Sequence, residues 1–364
     1  MRRSTFAVPI VSLLLAGCAS APAARDAAKI GHVFVVVLEN QPFDTTFGAQ
    51  SPAPYLAHEL VPRGALLRQY YGIGHFSLAN YVAMVSGQAP NPATQGDCRQ
   101  FVDFVASGPQ TADGQLPGEG CVYPAEVETV ADQLEAAGKS WKGYMEDMGR
   151  DPAREAPACG HAAIGAEDAT NRASAADQYA DKHDPFVYFH SIIDSRRRCE
   201  AHVVGLERLR EDLRAAATTP NYAFISPNLC HDGHDAPCAN GEPGGLVSAD
   251  AFLREWVPRI VESPAFAQDG LLVITFDEGV LDSRACCGEK DLPGGKPAGL
   301  DGPGGGRIGA VLLSPRIRPG TTSDAPYNHY SLLRWTEDDF GLARLGYAGA
   351  AGLATFGDDV FAQP

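Results

Sequence analysis

Three stretches of the chain are apolar without interruption: HVFVVVL at 32–38, LLVITF at 271–276 and IGAVLL at 308–313. A continuous run of this kind, rather than an alternating one, is the pattern of a strand buried on both faces, as in a parallel sheet. SWKGYM at 140–145 and YAFI at 222–225 read as two further strands. Between them the period changes to that of helices, expected at 126–137 with Gly138 as its stop, at 206–217, at 249–261 with a kink or break at Pro258, and at 331–342. In GHFSLANYVAMVSG at 74–87, Leu78, Val82 and Val85 recur at helical spacing, which places Ser77 at a helix N-cap. The stretch 88–124, rich in Gly, Pro and Asp, reads as a long ordered loop, and 150–178 as loop with short helices.

Strand and helix alternate, with no internal repeat and no linker rich enough to divide them. This predicts an α/β fold: an open, mostly parallel central sheet with helices on both faces, in a single domain. In such sheets ligands bind beyond the carboxyl ends of the strands. Glu39 follows one apolar strand directly, and Asp277 with Glu278 follows another. Each taken singly is also what a solvated turn looks like, but all three fall at the same end of the expected sheet.

The amino terminus changes the picture of where the chain resides. Arg2 and Arg3 precede an apolar run at 6–16 that is too short to span a bilayer and has the build of a secretory leader. It ends in Leu-Ala-Gly-Cys at 15–18, which resembles the lipobox of bacterial lipoproteins. Residues 1–17 are therefore expected to be a signal peptide, Cys18 the lipidated residue, 18–30 a tether and 31–364 one catalytic domain. The alternative is a plain leader cut near Ala21 or Ala24, with Cys18 discarded. Ala19 after the cysteine favours outer-membrane over inner-membrane retention.

The chain carries a formal charge of −16, and loss of Arg2 and Arg3 takes this to −18. Nucleic acid is excluded as a partner on that ground, since its backbone requires a basic surface. The run Arg196, Arg197, Arg198 reads as a solvated or salt-bridged helix face. Beyond Cys18 there are eight cysteines, an even number that in an exported chain reads as disulfides. Cys98 with Cys121 and Cys230 with Cys238 are the pairs expected; the adjacent Cys286 and Cys287 go to different partners or to each other. No paired CxxC units suggest structural zinc.

Chemistry enters through Ser77. A serine hydroxyl at a helix N-terminus sits where unpaired N–H groups and the helix dipole favour an anion such as a phosphoryl group, although an ordinary capping serine would look the same. Glu39, Asp277 and Glu278, with the amide oxygen of Asn40, offer hard ligands for one divalent cation. The histidines form a second group: His183 in KHDPFVYF, His231 and His234 with Asp232 and Asp235 in the HDGHD loop, and His329 ahead of the last helix. Two motifs are set aside. GPGGGRIG at 302–309 precedes a strand and lacks the Lys-Ser/Thr of a P-loop, and GHFSLAN is no Gly-x-Ser-x-Gly elbow.

Taken together, VVVLENQPFDTTFG, GHFSLANYVAMVSG, KHDPFVYF, PNLCHDGHD, ITFDEG, GGGRIGAVLLSP and NHYSLLRWTEDDFG resemble, in order, the blocks of the bacterial phosphoesterase family that contains acid phosphatases and phospholipases C. The likeness covers roughly 31–345 and is nearest to the secreted acid phosphatase branch. It implies an alkaline-phosphatase-like three-layer α/β/α sandwich. It further implies Ser77 as nucleophile, and Glu39, Asn40, Asp277 and Glu278 as holders of the metal. His183 and His234 are implied as catalytic, with His75, Asn40, Asp232 and His329 around the substrate. Pro42, Phe76 and Ala79 depart from the family's usual residues, and Asp277-Glu278 stands where wider relatives have Asp-His, which favours a single cation over two. The expected activity is hydrolysis of phosphate monoesters through a phosphoserine by an exported, lipid-anchored enzyme, acting on small phosphate esters or phospholipid head groups. The alternatives are a phospholipase C-like phosphodiesterase and a surface binding lipoprotein without turnover.

Overall fold

The valine-rich run becomes strand β1 (His32–Leu38), and no residue of it is exposed. Its β-branched side chains fill both faces of a sheet, each such burial being worth about 1.5–3 kcal/mol. The computed structural model describes residues 1, 29–290, 298–299 and 303–361, so the leader and Cys18 lie outside the described residues. Seven more strands join β1: β2 (Ala65–Leu67), β3 (Trp141–Met145), β4 (Val203–Gly205), β5 (Tyr222–Ser226), β6 (Gly270–Phe276), β7 (Ala310–Leu313) and β8 (Thr321–Ser323). Their order is β8-β2-β7-β6-β1-β5-β3-β4. All run one way except β7, which is antiparallel to both β2 and β6. The expected run at 308–313 is thus the one exception in a mostly parallel sheet.

Five helices matter for the site: α1 (Ser77–Ser86), α2 (Val130–Ala136), α3 (Gly245–Val261), α4 (Pro264–Asp269) and α5 (His329–Phe340). α1, α2 and α5 pack on one another, while α3 and α4 pack against β6. The result is the three-layer α/β/α sandwich that the family resemblance implies, built on the mostly parallel sheet expected from the alternation.

Several boundaries differ from expectation for local reasons. α2 starts at Val130 because Thr129 forms a capping box with Asp132. The charged helix expected at 206–217 is only Arg208–Asp212, because the hydroxyls of Thr218 and Thr219 both donate to the carbonyl of Asp212 and turn the chain. α3 begins earlier, at Gly245, and runs on through Pro258. Arg198 pairs with Asp132 and Glu135, and Arg196 with Glu200, so the basic run is a salt-bridged helix face. Four disulfides close the described chain: Cys98–Cys121, Cys159–Cys199, Cys230–Cys238 and the adjacent Cys286–Cys287.

Near the end of α5, Glu337 is buried; Oε1 accepts from Leu345 N at 2.8 Å and Oε2 has no partner. Burial pushes its pKa up to about 8, well above that of an unfolded glutamate. The folded state then holds a proton that the unfolded chain releases, so this contribution to stability is complete below about pH 4 and is lost as pH rises through about 8. Glu337→Gln keeps the acceptor and cannot ionise. The melting temperature of the wild type relative to that of the variant is expected to fall by about 2 °C or more between pH 5 and pH 9; a constant difference in thermal scans would contradict the assignment.

Candidate active site

Three neighbouring strands, β5, β1 and β6, end together. Beyond β1 stands Glu39, beyond β6 stands Asp277, and the loop after β5 brings in Asp232. Backbone bonds extend the ladder past the strand ends: Asp277 N donates to Leu38 O at 2.8 Å and Glu39 N to Asp232 O at 2.8 Å. All three carboxylates are fully buried. Asn40, with a left-handed φ of 58°, donates its N–H to Asp277 Oδ1 at 2.9 Å.

Ser77 is brought to this cluster by the loop ahead of α1. Asn80 Oδ1 accepts from Ile73 N at 2.7 Å and Gly74 N at 3.1 Å, while its Nδ2 donates to Gly74 O at 2.9 Å. A Cβ on Gly72 would stand 2.7 Å from Asp277 O, so a glycine is needed for the loop to lie against the end of β6. The capping role expected of Ser77 is corrected here. Phe76, at φ 73°, is the N-cap and Ser77 is the first helical residue. Its hydroxyl donates to Glu39 Oε2 at 2.7 Å instead of capping its own helix. Asp97 takes over one capping bond by accepting from Leu78 N at 3.2 Å.

One turn further along α1, Tyr81 OH donates to Glu39 Oε1 at 2.6 Å. Its ring stacks on that of His183 with centroids 5.1 Å apart. His183 lies between Glu39 Oε2, 3.4 Å from Nε2, and Asp232 Oδ2, 3.2 Å from Nδ1, but neither approach is aligned as a hydrogen bond. Burial, then Lys182 and His234, hold its pKa well below the ordinary value. Burial raises the Glu39 pKa strongly and Asp277 and Asp232 add to it; burial also lifts Asp232 to about 8, and burial with Glu278 lifts Asp277 to about 7.

A cavity of about 680 Å³ opens over Ser77 and includes Asn40, His75, His234, Glu278 and Asp97. His75 Nδ1 bonds Glu278 Oε2, and Phe76 N donates to Glu278 Oε1 at 3.0 Å, so Glu278 fixes the loop that carries Ser77. The pKa of His234 is raised, first by its bond to Asp235, 2.7 Å away. His231 of the same loop turns away to Glu146 and Glu242. Glu39, Asp277, Asp232 and His183 are not among the residues lining the cavity and form the layer beneath.

His329, expected beside the substrate, is fully buried behind this layer. Its Nε2 is 2.6 Å from Asp277 O and its Nδ1 3.3 Å from Tyr70 OH. Burial lowers its pKa to about 4, and a neutral ring held there positions Asp277. Sequence reasoning missed three residues of the site. Tyr81 carried a signal, since it lies four residues after Ser77 on the same helix face. Lys182, whose Nζ is 3.1 Å from Asp97 Oδ2, opens the KHDPFVYF block, where His183 drew the assignment. Asp97 had only its neighbour Cys98 to mark it.

Asp277 Oδ2, Asp232 Oδ2 and both ring nitrogens of His183 are buried without a hydrogen-bond partner. Such groups around a carboxylate cluster suit a hard divalent cation. Two other clusters have ligand-like composition, Cys230 with His231 and Glu242, and Cys286 with Cys287 and Glu289. Their cysteines are joined in disulfides and offer no thiolate.

Four of the seven non-glycine residues at positive φ among the described residues, Asn40, Phe76, Asp97 and Leu281, line this one cavity. Strain of that kind gathers at functional sites.

The sequence profile of the Phosphoesterase family matches residues 49–343. A probable acid phosphatase from Kluyveromyces lactis is 25% identical over 325 residues, covering 88% of this chain and 61% of its own length. A phosphatidylinositol-3-phosphatase from Mycobacterium tuberculosis is 25% identical over 332 residues, covering 90% of this chain and 82% of its own. The chain spans 55% to 61% of the length of the fungal acid phosphatases it matches. Among solved structures, a protein in the alkaline phosphatase superfamily from Vibrio parahaemolyticus covers 87% of this chain and 68% of its own at a TM-score of 0.48 and 14% identity.

Because Tyr81 satisfies a buried carboxylate oxygen, Tyr81→Phe leaves Glu39 Oε1 without its donor. The expected outcome is a loss of about 1–3 kcal/mol in urea unfolding at pH 7. Unchanged stability would show that the bond does not form.

Proposed function

The chain belongs to the phosphoesterase family, and from that premise we propose that it hydrolyses phosphate monoesters through Ser77. The observation that carries this reading is the direction of the Ser77 hydroxyl. Its proton points at Glu39 Oε2, 2.7 Å away, which leaves its lone pairs for a phosphorus atom held in the cavity above.

The residues divide the work as follows. Ser77 Oγ passes its proton to Glu39 Oε2 and bonds to phosphorus while the ester oxygen departs opposite to it, giving a phosphoserine; water, giving up a proton to His234, then attacks that phosphorus, the P–Oγ bond breaks as the proton returns from Glu39 to Oγ, and phosphate is freed. His234, whose Nδ1 is held by Asp235, protonates the departing oxygen. His75, held by Glu278, and the amide of Asn40 bind the phosphoryl oxygens. His183 packs between Glu39 and Asp232 beneath the cavity, and His329 positions Asp277.

The buried acids fit one divalent cation, which Glu39, Asn40, Asp277 and Glu278 would hold. Such an ion offsets the charge of the phosphoryl group and lowers the pKa of a serine hydroxyl. Asp277 Oδ2, buried with no donor, is the atom that most requires it.

Four disulfides support an oxidising compartment. With the leader at 1–17, lipidation at Cys18 and a tether to residue 30, the reading is of an exported catalytic domain lipid-anchored at the bacterial envelope, outside the cytoplasm. Among the described residues no helix is long and apolar enough to cross a membrane. The relative named phosphatidylinositol-3-phosphatase favours a phosphorylated lipid head group as a second substrate class.

Turnover of an aryl phosphate is expected to fall at least about 10³-fold in Ser77→Ala, on the scale of losses seen when a nucleophile is removed. Quenching the wild type during turnover should give a phosphorylated peptide containing Ser77 by mass spectrometry. Equal rates in the two proteins refute the assignment. Metal analysis of the purified protein should return one divalent ion per chain, and activity lost to a chelator should return on adding that ion; full activity in metal-free protein would remove the cation from the reading.

A further inference from the structure

The residues immediately after Glu278 make a turn that nothing in the fold requires to be apolar. Asp282 N donates to Gly279 O at 3.0 Å, closing a four-residue turn with Val280 and Leu281 at its tip. Val280 is 47% exposed and Leu281 100% exposed. Leu281 also has φ 61° at the third position of the turn, where glycine or asparagine is favoured and a larger side chain is strained. A leucine is therefore unfavourable there both for its backbone and for its exposure.

The turn is well anchored. Gly279 N donates to Gly305 O at 2.7 Å, and the Asp282 carboxylate accepts from Arg284 N and Arg307 N, each at 3.0 Å. The Arg307 guanidinium in turn lies 4.3 Å over the Phe43 ring. The fold thus fixes two apolar side chains in open solvent, and both line the cavity that contains Ser77. Phe76, also apolar and at positive φ, lines it as well.

Depth decides what this lip meets. Ser77 is 2% exposed and Leu281 fully exposed, so the nucleophile is at the floor and the lip at the mouth. In an in-line displacement the Oγ–P bond forms as the bond from phosphorus to the ester oxygen breaks. The Ser77 proton passes to Glu39 Oε2, the electron pair leaves on the alcohol oxygen, on the side away from Ser77, and a proton from His234 completes the alcohol. The alcohol must therefore lie toward the mouth.

We propose that Phe76, Val280 and Leu281 form a leaving-group subsite that selects phosphate monoesters of apolar alcohols, aromatic or alkyl. The proposal rests on the reading of Ser77 as the phosphoryl acceptor.

The test is a double variant, Val280→Ser with Leu281→Asn, which retains a residue suited to the positive φ; thermal scans check its fold. kcat/KM is measured for 1-naphthyl phosphate, hexyl phosphate and glycerol 2-phosphate, and binding for the inert 1-naphthylmethylphosphonate and methylphosphonate. The selectivity for naphthyl or hexyl over glycerol ester is expected to fall about tenfold, and the larger of the two losses tells an aromatic from an alkyl preference. An equal change for all three esters, or none, overturns the subsite. If the wild type hydrolyses none of them, the Ser77 reading fails on its own account, and the phosphonates decide the subsite: weaker binding of the naphthyl compound alone supports it, and equal binding overturns it.

Discussion

Three carboxylates delivered to one buried space by three adjacent strand ends set the terms for everything around them. Two like charges about 4 Å apart at a protein's effective dielectric repel by on the order of 4 kcal/mol, and Glu39 stands between two others. Burial and Asp277 both raise the pKa of Glu39, and burial with Glu278 raises that of Asp277. The neighbouring groups answer this repulsion. Ser77 and Tyr81 donate to Glu39, Asn40 N to Asp277 Oδ1, and His234 N to Asp232 Oδ1. Lys182 adds a cation: burial works against its charge, but Asp97, Glu39 and Asp232 outweigh that and raise its pKa. What these donors leave uncovered is Asp277 Oδ2 and Asp232 Oδ2, and that residual demand is the structural ground for a cation.

The same constraint explains why Ser77 is not a cap. Had it been the N-cap, its Oγ would accept from the N–H groups of its own first turn. Placing the left-handed residue one step earlier, at Phe76, puts Ser77 inside the helix, one turn before Tyr81 on the same face. Both side chains then meet Glu39. Asn80 bridges the loop from Gly74 to Phe76 and holds the strained residue in place. The unfavourable backbone at Phe76 is therefore offset by hydrogen bonds that exist only in this geometry.

Much of this was legible in the chain. Uninterrupted apolar runs named β1 and β6 almost to the residue, because a strand covered on both faces has no polar positions to blur its ends. Acids directly after such runs named Glu39 and Asp277, since parallel strands point their carboxyl ends one way. The helix at 208–212 came out short because two threonine hydroxyls compete for one carbonyl, which periodicity does not register. The direction of β7 could not be read, as an apolar run looks the same in either orientation. His329 was associated with the site through its motif, but whether it faces substrate or supports Asp277 from behind depends on how α5 enters the core.

Asp97 shows why the remaining residues escaped notice: its place in the site is set by a covalent bond, not by a motif. It adjoins Cys98, whose disulfide to Cys121 closes the long loop after α1. Asp97 and Cys98 are both at positive φ, a conformation rare for either residue, and the crosslink restricts the loop's escape from it. From there one Asp97 oxygen accepts from Leu78 N and the other from Lys182 Nζ. The first bond secures the helix that carries Ser77 and Tyr81; the second brings a positive charge beside Glu39 and Asp232. The crosslinked loop after α1 thereby becomes part of the electrostatics of the buried acids.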